Sequence, residues 1–165
     1  MNEADLLTDA FTRIRDTVHS VVRGLDEDQL AFRVDGRANS VAWSVWHLTR
    51  IQDDHVAGVG GYEQAWTADG WYDRFGLPFD AREHGYGHTS DDMAAVRAPA
   101  ELLAGYHDAV FARTSAYLQT ITAADLDRVV DKNWNPPVTL GVRLVSVVND
   151  DLQHAGQAAF VRGLL

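Results

Sequence analysis

Cysteine is absent from this chain of 165 residues. Its absence excludes a disulfide framework, thiolate-ligated metal sites, iron–sulfur clusters and a cysteine nucleophile. Any thiol chemistry would therefore need a thiol brought by a second molecule. A chain without cysteine also fits a reducing compartment, and we expect a cytoplasmic protein.

Positive charge and long apolar runs are scarce as well. Lys132 is the only lysine, and the formal net charge is −10. Without a basic stripe the chain is a poor candidate for binding nucleic acid or an anionic membrane surface. No apolar run reaches the length of a membrane span, and the acidic residues Glu3 and Asp5 near the start do not fit a signal peptide.

Helical periodicity dominates what is present. Apolar residues recur at steps of three and four, and residues of capping type precede several of the segments. The pattern predicts four long helices, at 5–23, 41–59, 100–120 and 140–164. We therefore expect one domain over 1–165, an all-α four-helix bundle with a long connection, 62–89, between the second and third helices. Strand-like alternation is weak; only 128–130 could pair briefly.

The fourth predicted helix carries the sharpest chemical pattern. Asp150 and His154 are four residues apart, so their side chains leave the same helix face and can hold one divalent ion. Asp151, three residues before His154, offers the same possibility. His47 in the apolar second helix is a candidate third ligand. The alternatives are a solvated surface pair on the fourth helix and a hydrogen-bonded core histidine on the second.

Two segments resemble a known family. They are Ser-Val-Ala-Trp-Ser-Val-Trp-His-Leu-Thr-Arg, which ends at Arg50, and Asp-Leu-Gln-His-Ala-Gly-Gln, which ends at Gln157. Both resemble the DinB-like superfamily, in particular the actinobacterial branch with mycothiol-dependent maleylpyruvate isomerases and thiol S-transferases. The resemblance implies a four-helix bundle whose metal ligands and catalytic residues are His47, Asp150 and His154. It also implies a divalent ion, with zinc expected and nickel as an alternative, and a mycothiol-type thiol cosubstrate.

These expectations lead to one main functional hypothesis and two rivals. Two histidines and one carboxylate leave coordination positions open, as in catalytic rather than structural zinc sites. The main hypothesis is a metal-dependent thiol transferase or isomerase that joins a low-molecular-weight thiol to a small electrophile. The rivals are a hydrolase with metal-activated water, and a non-catalytic metal-binding bundle or dimeric interaction protein. A homodimer is plausible in each case.

Further residues are predicted to lie around the metal site. Arg50, Trp71 and Tyr72 are predicted to contact the cosubstrate or substrate; the alternatives are an ion pair of Arg50 with a neighbouring aspartate and aromatics that simply cover the bundle. His84 and His88 lie in a glycine-rich segment, and we expect both to be exposed. His107 is expected to be an ordinary helix residue.

Overall fold

Four long helices form the body of the molecule in the computed structural model, which describes residues 1–165. They are α1 (Glu3–Val22), α3 (Val41–Gly60), α7 (Ala100–Leu118) and α8 (Leu140–Arg162). Helix α1 packs against α7 and α8, and α3 packs against the same two helices. The all-α bundle predicted from the periodicity is confirmed. No helix is both long enough and apolar enough to cross a membrane.

Short elements connect the long helices. Helix α2 (Glu27–Leu30) and a 3₁₀ turn follow α1, and α6 (Ser90–Ala95) precedes α7. A 3₁₀ helix (Ala123–Asp127) follows α7. Strand β1 (Val129–Asp131) then pairs with β2 (Val138–Thr139) in a small antiparallel hairpin. The brief pairing expected at 128–130 is thus present, and it closes directly onto the start of α8.

The long connection after α3 is a folded layer. It contains α4 (Ala65–Ala68) and α5 (Trp71–Phe75). Trp66, Trp71 and Phe75 from this layer are buried and pack around Tyr106 of α7. Their large apolar surfaces cover the flank of the bundle that would otherwise face water, which fixes the connection to the core.

Local signals in the sequence account for the helix ends. Asn2 caps α1 in a capping box with Asp5, and the Ser40 hydroxyl accepts a hydrogen bond from the Trp43 backbone N–H at the start of α3. Gly61 ends α3 in the left-handed conformation, at φ 71°. Each cap satisfies backbone groups that a helix end leaves unpaired.

Helix α3 differs from the other three because it is buried on all sides for most of its length. Every residue from 41 to 53 is buried, and these include the polar or charged side chains Ser44, His47, Thr49, Arg50, Gln52 and Asp53. A polar group that is buried without a hydrogen-bond partner costs free energy on folding, so most buried polar groups are paired. The partners of this buried set therefore indicate which of its members are structural.

Candidate metal centre

His47, Asp150 and His154 come together between α3 and α8. One potential ligand atom from each lies within 4.8 Å of the others. Asp150 Oδ2 is 3.9 Å from His47 Nε2, and Asp150 Oδ1 is 3.9 Å from His154 Nε2. Bonds of 2.0–2.1 Å to a tetrahedral zinc ion set donor atoms ~3.4 Å apart, so small side-chain movements would suffice.

The His47 ring is oriented by its other nitrogen. Nδ1 hydrogen-bonds to the backbone carbonyl of His84, so the neutral ring donates its proton there and leaves the Nε2 lone pair toward Asp150. Burial is the main cause that lowers the pKa of His47, to about 4. The ring is therefore neutral near pH 7, the form in which histidine binds a metal.

Gly85 makes this contact possible. Its φ is +103°, and a Cβ at this position would lie 2.5 Å from His47 Nδ1. Both features exclude a larger residue, because the backbone conformation is strained for one and the space is already filled. The glycine thus lets the loop backbone approach the imidazole closely enough to accept its proton.

His154 has a similar arrangement made from a side chain. Its Nδ1 lies 3.1 Å from Gln157 Oε1, and Gln157 Oε1 also accepts a hydrogen bond from Asn39 Nδ2 at 3.0 Å. With Nδ1 donating to the amide oxygen, Nε2 is free for an ion. Trp43 stacks on His47 at 4.6 Å between ring centroids and meets His154 edge-on at 5.6 Å. The two imidazoles are thus held by an acceptor and an aromatic wall.

The two neighbouring aspartates of α8 have different environments. Asp150 faces the imidazoles, and its Oδ2 is buried without a hydrogen-bond partner. Asp151 is fully buried with neither carboxylate oxygen bonded, and burial, reinforced by the charge of Asp150, raises its pKa well above the usual range. Asp151 is not part of the cluster. Of the two acids left open by the spacing, the geometry brings only Asp150 to the histidines.

The donor set fits a divalent ion. Two neutral imidazole nitrogens and one carboxylate oxygen suit zinc and other first-row ions, and the orphaned Asp150 oxygen is the kind of atom that a ligand would satisfy. Three protein donors also leave room for further ligands.

Comparison with known proteins supplies the family. A family model described as mycothiol-S-transferase matches residues 6–165. The chain belongs to the mycothiol-S-transferase family. The DinB-like resemblance predicted from the two helical segments is thereby confirmed. A crystal structure described as the conserved protein of a locus from Enterococcus faecalis is similar to this chain, at 30% identity and a TM-score of 0.91. The match covers 98% of this chain and 96% of that one. A search among curated proteins finds no match.

Arg50, predicted to contact a ligand in this mycothiol-S-transferase family member, has protein partners throughout. It is fully buried and donates to the Glu83 and Ala81 carbonyls, to the Gln64 side chain and to the Tyr106 hydroxyl. The nearest acid is Asp53, at 3.9 Å. These contacts match the structural alternative for this residue. Its role toward a ligand stays a prediction.

Trp71 and Tyr72 are also tied to the protein. Trp71 packs on Tyr106 under the Arg74 guanidinium, which lies 3.8 Å from its ring centroid. The Tyr72 hydroxyl donates to the Phe79 carbonyl at 3.0 Å. Neither residue belongs to the His47, Asp150 and His154 cluster, and their predicted contact with a thiol or substrate stays a prediction.

The glycine-rich segment contributes more than the sequence indicated. The expectation that His88 is exposed is wrong: its side chain is 6% exposed, and its Nδ1 accepts a hydrogen bond from Trp43 Nε1 at 3.1 Å. Phe79 and Trp46 pack against its ring, so the aromatic surroundings account for the burial. His88 thereby supports the tryptophan that walls the cluster.

Tyr86 is a site residue that the sequence reasoning missed. Its ring stands edge-on to His47 at 5.7 Å, and its side chain is largely exposed. Burial and then the charge of Asp150 raise its pKa. The signal was the Gly-Tyr-Gly sequence between two histidines, which places an aromatic on a turn but gives no indication of what the turn covers.

Proposed function

We propose that this chain is a metal-dependent mycothiol S-transferase in which His47, Asp150 and His154 hold a divalent ion, with zinc favoured and nickel the alternative. The observation that carries the proposal is the convergence of three ligand atoms within 4.8 Å in a chain that the mycothiol-S-transferase family covers almost completely. The reaction joins the thiol to a small electrophile; isomerisation through a thiol adduct is a variant of the same chemistry.

The absence of cysteine supports the need for an external thiol. When bound, a divalent ion lowers the pKa of a thiol that reaches it, which supplies a nucleophilic thiolate near neutral pH. The protein's own residues orient the donors: the His84 carbonyl and Gln157 accept the imidazole protons, and Trp43 limits rotation of both rings. The Tyr86 ring stands edge-on to His47.

Four further expectations belong to the same proposal. The chain acts as one domain over 1–165, in the cytoplasm, where the thiol pool is reduced. It acts on a small molecule, not on nucleic acid or a membrane. A homodimer is compatible with the exposed apolar residues on α8, which include Val145, Leu152 and Phe160.

The test combines metal content with thiol-dependent turnover. Purified protein is analysed for zinc and nickel, loaded with each ion, and assayed with mycothiol and 1-chloro-2,4-dinitrobenzene. We expect about one ion per chain and turnover that needs both ion and thiol. Asp150→Ala should lose both properties, because it removes the only carboxylate of the cluster. Asp16→Ala, at an exposed acid of α1, is the matched control.

Two results would contradict the proposal. If the protein binds neither zinc nor nickel after loading, the three residues do not form a metal centre. Metal-dependent hydrolysis of ester substrates that needs no thiol would assign the site to the hydrolase alternative.

A further inference from the structure

A polar cleft shares helices α3 and α8 with the metal cluster and is used by none of the chemistry described above. It has a volume of about 550 Å³ and runs between α3, the start of α8 and strand β1. Its polar lining consists of Asp54, His55, Arg128, Asp131, Asn133 and Arg143. Clefts of 300–1,000 Å³ hold ligands the size of cofactors and small substrates.

The cleft and the cluster lie along the same two helices, α3 and α8. Arg143 and Asp150 are two turns apart on α8, and His55 and His47 are eight residues apart on α3. At 1.5 Å rise per residue both separations are ~10–12 Å. The charges of Asp150 and Arg143 both affect the pKa of Tyr86, which places this tyrosine within electrostatic reach of both regions. A ligand of two linked parts can therefore span cleft and cluster.

The lining offers donors and acceptors in balance. Two arginines face two aspartates, and one of each already forms an ion pair, Arg143 with Asp131 at 3.0 Å. Arg143 also reaches His55 Nδ1 at 3.4 Å, so the neutral ring presents its Nε2 proton. A site for an anion would carry an excess of positive charge. This mixture instead matches hydroxyl groups, which donate and accept at the same atom.

We infer that this cleft binds the neutral, polyhydroxylated part of the thiol cosubstrate while the thiol reaches the cluster of His47, Asp150 and His154. The inference rests on the proposed function, since the thiol is what connects the two sites. Mycothiol has this construction: an N-acetylcysteinyl group carries the thiol, and a glucosamine–inositol body carries the hydroxyls. The cleft then determines which thiol is accepted, and the cluster determines its reactivity.

The test separates the two parts of the ligand. Zinc-loaded protein is titrated calorimetrically with mycothiol, with N-acetylcysteine, and with thiol-free N-acetylglucosaminyl-inositol. Arg143→Met keeps the apolar stem and removes the guanidinium. We expect it to weaken mycothiol and the thiol-free body at least 10-fold, because charged hydrogen bonds are lost, and to change N-acetylcysteine less than 2-fold.

A second variant and a control distinguish loss of a ligand contact from misfolding. Asn133→Ala lies on the exposed hairpin and should weaken the same two ligands about 5-fold. Arg13→Met, at an exposed arginine of α1, should change none of them. Thermal unfolding confirms that each variant is folded.

The outcomes distinguish the inference from the proposed function. Unchanged mycothiol affinity in both cleft variants would overturn the inference and leave the metal-dependent reaction intact, as would an equal loss for all three ligands. If neither thiol binds, the proposed function fails. In that case the thiol-free body still tests the inference. If it binds the wild type and not Arg143→Met, the polyol cleft is established; if it does not bind the wild type, the inference is refuted.

Discussion

Two polar clusters on α3 lie only about two turns apart and have opposite character. The first surrounds Asp53, which accepts hydrogen bonds from the backbone N–H groups of Ala65 and Trp66 and from the Tyr106 hydroxyl. Arg50 lies 3.9 Å away. The second is the cluster of His47, Asp150 and His154, where Asp150 Oδ2 has no partner. Asp53 is buried and Asp150 is half-buried with one buried oxygen, and the protein satisfies only the Asp53 carboxylate.

The difference separates structural from functional polar groups. The Asp53 cluster joins α3, α4 and α7 and holds the folded connection against the bundle. The metal cluster joins α3 to α8, and its outward nitrogens are held by acceptors while its inward atoms are left open. An unpaired buried carboxylate oxygen that faces two imidazoles, as in Asp150, is a candidate ligand for an ion.

Removal of Asp53 has the largest expected effect on stability. Asp53→Ala leaves two backbone N–H groups and the Tyr106 hydroxyl without their acceptor and removes the negative charge nearest the buried Arg50 guanidinium. We expect it to lower the free energy of unfolding by about 3–5 kcal/mol. Urea unfolding measures the loss. Asp16→Ala, at an exposed position, should change it by less than ~0.5 kcal/mol. A loss below ~1 kcal/mol for Asp53→Ala would show that the Asp53 cluster does not stabilise the fold.

Much of this contrast could not be predicted from sequence. The four long helices follow from local apolar periodicity, and the four-residue spacing of Asp150 and His154 follows from one helix turn. The residues alone make His47 only one candidate for a third ligand, and the family resemblance is needed to select it, since no periodicity reports which helices pack together. The choice between Asp150 and Asp151 depends on a helix rotation of about 100° per residue, which only packing determines.

The loop contacts were the hardest to predict. The His84 carbonyl, Gly85 and Tyr86 reach His47 across almost forty residues of chain. Such contacts depend on the folding of the whole connection, which contains few local signals beyond its glycines. The same non-local packing buries His88 and Arg50, for which the sequence left exposed or ligand-binding roles open.

His107 is a second buried histidine, outside the metal cluster, and it tests whether burial alone keeps an imidazole neutral as it does in His47. It is fully buried on α7, its Nδ1 lies 3.1 Å from Thr49 Oγ1, and burial is the main cause that lowers its pKa to about 3. The unfolded chain binds a proton at this residue near pH 6.5, whereas the folded chain does so only near pH 3. The contribution to stability is therefore complete above pH 6.5 and falls as the pH drops below it.

The expected size follows from this linkage. Between pH 7 and pH 5 we expect His107 to account for a loss of about 2 kcal/mol in the free energy of unfolding. His107→Asn retains a donor near the Nδ1 position, and urea unfolding of both proteins at the two pH values isolates the difference. Equal pH dependence in wild type and variant would mean that His107 is not held neutral by the fold. Zinc should not remove this dependence, because His107 is outside the metal cluster.

A Gln157 variant tests whether the hydrogen bond to His154 Nδ1 orients this ring for metal binding. Gln157→Leu removes the acceptor of the His154 Nδ1 proton, so the ring loses its fixed orientation. We expect zinc affinity to fall about 10-fold, measured by competition with a chromophoric chelator. Gln153→Leu lies one turn earlier on α8, where the side chain donates a hydrogen bond to the Asn149 carbonyl, and should leave zinc affinity unchanged. Equal effects of the two variants would contradict an orienting role for Gln157.

Asp150 gives the smallest expected effect on the metal-free protein, and this small effect completes the contrast with Asp53. Burial raises the pKa of Asp150, opposed by His154, and Oδ2 has no partner, so the carboxylate is not stabilised by the empty fold. Asp150→Asn should therefore leave the metal-free free energy of unfolding unchanged or raise it by up to ~1 kcal/mol. It should also abolish the rise in melting temperature that zinc produces in the wild type, because stabilisation by a ligand requires binding to the folded state. A marked loss of stability without metal would place Asp150 with Asp53 among the structural carboxylates. The expected result instead identifies a residue retained at a cost to the fold, as the ligand of an ion would be.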